Sequence, residues 1–460
     1  DFCLSRGLGD VYKRQSFSAI PKAFFPSNEP PPRRGPDPPV LSFITVTLDW
    51  NTMKTLRKVP ALVIALSALA STSHAADIKV GAMGGFTGSL AELSANVHKA
   101  RELALKQINA AGGLLKGDQL RFVTADSGCD AKTAVDAAGK LINVERVVSV
   151  IGPTCSGETI AVAQNVTIPA GVMLITDSAT SAGLTTLNDG DTVYRTAPAN
   201  VDQAGALATI VKSHNITSIA MIVVNDDYNS AIARNFENAF VKLGGKVSAS
   251  VKVEANKASY RTDLASLSKG GSKAIAVFAY YGNGGINMIK NSIEANLFTT
   301  FYSTGGMADQ AVVDQIGADR MRDHLFFATP AVDQEEVSFV AYADAAKKAG
   351  FDPASPYVAN GYDAVFLTAL AIEKAGSTDR KLLPAALRQV AGPGGEIVRP
   401  GEWAKAKALI AAGQKINYEG ASGSVDFDTA GDIPGSFGIT SVDDKGCLLY
   451  TSDAADERSS

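Results

Sequence analysis

The chain has 460 residues, 46% of them apolar and 20% charged, which is the balance of a globular protein. At about 100–200 residues per domain, that length holds two or three domains. Its 43 basic and 47 acidic residues leave a net charge of −4, so there is no basic field for nucleic acid, and four histidines are too few for a rich metal or acid–base centre. No apolar run reaches the roughly 20 residues of a membrane-spanning helix.

The first readable segment is not protein-like. Ser5–Gln15 (SRGLGDVYKRQ) back-translates in frame to a transposon-type sequencing adapter. Cys447–Ser452 (CLLYTS) reads the reverse strand of the same adapter, and Asp453–Glu457 continues it. Residues 1–52, Pro-rich at Asn28–Pro39, and residues 447–460 are therefore expected to contribute nothing to the fold. From Met53 the pattern changes. Lys54, Arg57 and Lys58 precede the apolar run Val59–Ala70, and Ser73-His74-Ala75 supplies small residues for cleavage. Residues 53–75 read as a secretory signal peptide, with export to the periplasm and a mature start at Ala76. Export leaves Cys129 and Cys155 as a pair in an oxidising compartment, since Cys3 and Cys447 belong to the adapter-like ends. A Cys129–Cys155 disulfide is expected, and two cysteines without clustered histidines make no metal site.

Strand-like runs then alternate with helical patterns. Ile78–Met83, Leu120–Asp126, Val147–Gly152 and Val172–Thr176 read as strands. Helices are expected over Lys99–Ala110, over Ala131 to about Val144, and from about Glu158. A second series holds strands at Ile219–Val224, Lys246–Val253, Ala274–Tyr281 and His324–Thr329, with helices over 230–243, 262–267 and 362–374. This order predicts an α/β fold of two doubly wound parallel-sheet lobes joined by a hinge, with a ligand cleft at the carboxyl ends of the strands.

The motifs favour binding over catalysis. Gly81, Gly84, Gly85 and Gly88 imitate a dinucleotide loop, but the spacing is G-x-x-G-G-x-x-G, and Asp126 lies too far on. No P-loop, nucleophile elbow or H-E-x-x-H occurs, and no cofactor is implied. Two polar loops follow strands: Cys155-Ser156-Gly157, and Asp177 through Ser181. Their hydroxyls and free backbone N–H groups suit a carboxylate, while plain N-capping by Ser156 and Thr180 remains open.

In this order and spacing, IKVGAMGGFTG, DSGCD with GPTCSGET, ITDSATS, YRTAPANVDQ, VVNDDYN and NGYDAV resemble a known family. It is that of the leucine/isoleucine/valine-binding substrate-binding proteins of branched-chain amino-acid ABC transporters, type I periplasmic binding proteins. The resemblance spans about 77–444. It implies a clamshell with lobe one at 76–198 plus 330–430 and lobe two at 199–329 plus 431–446. It further implies a monomer that hands a small amino acid or related carboxylate to a membrane permease. Ser156 and Thr180 would then hold the ligand carboxylate and amine with backbone groups of Ser178 and Ala179. Tyr228 and Tyr281 would reach across from lobe two, and Phe86 and Leu90 would face the ligand side chain. The position of the family's ammonium-pairing acid falls on Gly305. A buried ammonium without a carboxylate is costly, so either another acid, Asp227 or Asp363, serves, or the ligand lacks an α-amine. The same fold also serves as a receptor's sensing domain, and a secreted α/β enzyme is the remaining alternative.

Overall fold

The structure is a computed structural model that describes residues 76–451. The signal-peptide and upstream readings lie outside these residues. Two parallel sheets carry the chain. The first has five strands in the order β2-β1-β3-β4-β5: β1 Asp77–Gly84, β2 Gln119–Asp126, β3 Val150–Ile151, β4 Leu174–Thr176 and β5 Val193–Arg195. All its pairings are parallel. The second has the order β15-β14-β10-β9-β8-β6-β7: β6 Ser218–Val224, β7 Lys246–Val253, β8 Ala274–Phe278, β9 Thr300–Thr304, β10 Leu325–Ala331, β14 Ser436–Val442 and β15 Leu448–Thr451. There β14 and β15 add antiparallel at one edge. A small third sheet joins β11 Glu396–Val398, β12 Ile416–Gly420 and β13 Gly423–Ser424.

Buried apolar runs explain both main sheets. Ile219–Val224 and Ala274–Phe278 are buried on both faces, the signature of a central parallel strand. Helices cover these faces: α1 Ala91–Ala110, α2 Ala131–Asn143, α3 Ser156–Val162, α4 Asn200–Ser213 and α5 Asp227–Lys242 among them. Helix α1 begins eight residues before the Lys99 predicted from sequence. Leu93, Ser94 and Val97 continue its buried stripe upstream, although Leu90 at its N-cap makes no side-chain cap bond. The long helix Val358–Ala375 is buried on every side of its first fifteen residues. It begins four residues before the position predicted.

One expectation is corrected. The segment from 447 was placed outside the fold, yet Leu448–Thr451 pair in register with Val442–Ile439. An available edge of the sheet at β14 and a short apolar run beside it supply what a further strand needs, whatever the origin of the segment.

Candidate functional site

The site is assembled from turns at the carboxyl ends of strands in both lobes. After β3 the chain turns at Gly152, whose φ is +87° and where a Cβ would stand 2.2 Å from the Met83 carbonyl oxygen. Only glycine fits there. The turn delivers Thr154, Cys155 and Ser156 to the start of α3. The Cys155 N–H donates to Glu158 Oε1 at 2.8 Å, and the Ser156 hydroxyl accepts from the Ser181 N–H at 3.2 Å. The Cys129–Cys155 disulfide, with Cα atoms 5.5 Å apart, ties this turn to the loop after β2.

After β4, Asp177 is fully buried in an ion pair with Arg101 at 2.6 Å, and Arg101 Nη1 also donates to the Met83 carbonyl at 2.6 Å. The pair sits directly behind Ser178, whose hydroxyl lies 3.1 Å from the Thr154 carbonyl oxygen and 3.2 Å from Asp177 Oδ1. The Thr180 hydroxyl is buried and has no hydrogen-bond partner.

The opposing wall comes from lobe two. Asp226 caps α5 by accepting from the Asn229 N–H and side-chain amide, both at 2.7 Å. This fixes Tyr228 in the first turn, where its hydroxyl donates to Thr304 Oγ1 at 2.9 Å. Tyr280, just after β8, stacks on Tyr228 with centroids 5.5 Å apart and planes 13° from parallel. Burial pushes the Tyr228 and Tyr280 phenols up, and that of Tyr357, which approaches from the 330–430 segment, likewise, so these rings are neutral at physiological pH.

Between the walls lies a narrow cavity, partly open to solvent, lined by Leu90, Leu93, Thr154, Ser156, Ser178, Tyr228, Tyr280, Gly306 and Tyr357. Of the residues singled out from sequence, Leu90, Ser156, Ser178 and Tyr228 meet there. The others lie elsewhere. The Ala179 N–H donates to Thr176 Oγ1 at 3.2 Å. Phe86 packs edge-on against His98. Asp227 is exposed, with Oδ2 2.9 Å from where a Cβ at Gly157 would stand. Tyr281 turns to the rim, where its hydroxyl accepts from the Glu92 N–H at 3.1 Å, and the Gly282 N–H donates to the Ser89 carbonyl at 3.2 Å. These two bonds join the lobes across the mouth of the cleft. Asp363 is held by the Tyr418 hydroxyl and the Ala421 and Ser422 N–H groups at 2.8 Å, and by the Ser422 hydroxyl at 2.6 Å. It is a structural carboxylate, which removes it as a candidate for the ligand ammonium.

Sequence reading missed Leu93, Thr154, Tyr280, Gly306 and Tyr357. Tyr280 and Tyr281 are adjacent, and only the turn after β8 decides which ring faces inward. Tyr357 belongs to no motif; its backbone, at φ +64°, swings the ring toward Gly305.

The comparisons with known proteins agree with this geometry. The family model described as the receptor family ligand binding region matches residues 96–445. The leucine-, isoleucine-, valine-, threonine- and alanine-binding protein of Pseudomonas aeruginosa is 29% identical over 71% of this chain and 86% of its own length. The chemotactic signal transduction system substrate-binding protein BasB of Halobacterium salinarum is 26% identical over 75% and 81%. Among solved structures, the LivJ branched-chain amino-acid substrate-binding protein of Streptococcus pneumoniae, in complex with isoleucine, superposes with a TM-score of 0.67. It is 23% identical and covers 82% of this chain and 100% of its own. A solute-binding protein of an ABC transporter from R. palustris, in complex with benzoate, also reaches 0.67 at 18% identity, covering 82% and 96%. The chain thus belongs to the receptor ligand-binding-region family, and proteins named for binding leucine, isoleucine and valine are among its relatives.

Proposed function

We propose that this protein is exported to the periplasm, captures an amino acid or related small carboxylate between its lobes, and delivers it to the permease of an ABC importer. One observation carries the reading: a wall of hydroxyls at the strand ends of one parallel sheet faces a wall of tyrosines at the strand ends of the other. Ser156 and Ser178 hold the ligand carboxylate, the buried, unpartnered hydroxyl of Thr180, outside the lining but two residues beyond Ser178, is a further donor for it, and the rings of Tyr228 and Tyr280 cover its body. That the P. aeruginosa relative is named for amino acids and the R. palustris neighbour holds benzoate supports a carboxylate as the shared feature.

Native mass spectrometry of protein purified from cells, followed by calorimetry with the co-purified molecule, tests the reading. A stoichiometric small carboxylate whose affinity falls in Ser156→Ala is the expected result. The relation to BasB supports a second reading, a sensing role in which the loaded protein signals to a membrane receptor. Deleting the gene separates the two: loss of ligand uptake marks the importer, and loss of taxis with uptake intact marks the sensor.

A further inference from the structure

The cavity walls carry hydroxyls, rings and aliphatic groups, and among the described residues no carboxylate lines them. The nearby acids are engaged or turned away: Asp309, three residues beyond Gly306, accepts from the Ala311 N–H at 2.9 Å, and Glu92 is exposed. Asp177 is closed in its ion pair with Arg101. Both oxygens of Asp226 accept from Asn229, and Asp227 is exposed over Gly157. Glu158 takes the Cys155 N–H behind the turn. At Gly305, where a side chain would enter the site, a Cβ would begin 3.1 Å from the Tyr357 hydroxyl and 3.5 Å from Gln203 Nε2. The place from which an acid could reach the ligand is filled by a neutral phenol.

Resting on the proposed solute-binding reading, we infer that the ligand is a small monocarboxylate without an ammonium group, its body apolar and flat enough to lie against the rings of Tyr228, Tyr280 and Tyr357. An ammonium enclosed here would lose its hydration and gain no counter-charge, which is strongly unfavourable. A carboxylate meets hydroxyl donors instead, and an aromatic or unsaturated body meets tyrosine faces at favourable stacking geometry.

Calorimetry with two matched pairs isolates the ammonium: 3-phenylpropionate against L-phenylalanine, and 4-methylpentanoate against L-leucine. Within each pair the amine-free member should bind roughly a hundredfold or more tighter, the scale on which an unpaired buried charge is penalised. The phenyl acid should also exceed the aliphatic one. A second arm uses Gly305→Glu combined with Tyr357→Ala, which opens space for a carboxylate; its preference should shift toward the amino acids. Wild-type protein that binds leucine as tightly as 4-methylpentanoate overturns the inference and leaves the solute-binding reading intact. Cooperatively melting protein that binds none of the four overturns both.

Discussion

The two walls of the cavity are built by opposite means. The hydroxyl wall is cross-linked: the Cys129–Cys155 disulfide anchors one of its turns, and the buried Arg101–Asp177 pair stands behind the other. The tyrosine wall has neither. Ring stacking between Tyr228 and Tyr280 and neutral bonds to Thr304 and Gln203 hold it in place. Charge recognition needs donors fixed to within a fraction of an ångström, whereas an apolar body needs only matching surface. On the proposed reading, rigidity falls on the side that reads the charge, and the side that encloses the body is left adjustable.

The largest break in that contrast is Arg101→Met, which leaves the Asp177 carboxylate buried and unpaired. A stability loss of about 3–5 kcal/mol is expected, read by guanidinium unfolding, with ligand affinity falling as well because Ser178 loses its backing. Next, replacing both Cys129 and Cys155 by alanine should cost about 3 kcal/mol, since the bridge spans a sequence separation of 26. A smaller loss in both cases would show the hydroxyl wall to be no stiffer than its opposite.

Head-group contacts come third. Ser156→Ala should weaken binding by about 1.5–3 kcal/mol, a hydrogen bond to a charged group, and lower the melting temperature as well, because the Ser181 N–H loses its acceptor. Thr180→Val sharpens the point. The Thr180 hydroxyl is buried without a partner, so its removal should raise stability slightly while lowering affinity. Equal affinity in both variants would take these hydroxyls out of ligand contact; the capping role open in the sequence is filled instead by Cys155 and Ser181.

On the tyrosine wall, Tyr228→Phe keeps the ring and removes only the neutral contacts of its hydroxyl with Thr304 and Gln203, so calorimetry should show a loss of about 0.5–1.5 kcal/mol. The smallest effect is a matter of pH. Burial raises the Glu158 carboxyl to about 7, aided by the nearby charge of Asp126. The folded protein therefore keeps a proton that the unfolded chain has released. The contribution of Glu158 to stability is greatest below about pH 4.5 and falls as pH rises toward 7. The difference between Glu158→Gln and wild type, followed across that window, should grow with pH in favour of the variant. A flat difference would place Glu158 in contact with solvent.

Much of this architecture was legible in the sequence because it rests on local chemistry. Apolar β-branched runs such as Ile219–Val224 and the hydroxyl-bearing turns after β3 and β4 are short-range signals, and the turns landed Ser156 and Ser178 in the cavity. What escaped depends on rotation and on distant chain. Tyr280 and Tyr281 carry identical sequence signals, and one peptide unit of turn geometry sends them to the cavity and to the rim. Tyr357 reaches the site from a position more than fifty residues from any other lining residue, so no spacing rule points to it. Gly305 could be flagged only as a missing acid; that a phenol stands where its side chain would go is a fact of packing. The edge strand Leu448–Thr451 escaped for a different reason: pairing depends on an available edge, and the segment had been set aside by its resemblance to adapter sequence.

The rim contacts between Ser89 and Gly282 and between Glu92 and Tyr281 have a kinetic meaning. Three of the four groups they join are backbone atoms, and none lines the cavity. On the proposed reading, opening the lobes breaks these same two bonds whatever the occupant. They therefore lengthen the dwell time of all occupants alike and add nothing to discrimination among them. A protein built this way can have its release rate tuned at the rim, through Tyr281 alone, without disturbing which molecule it chooses.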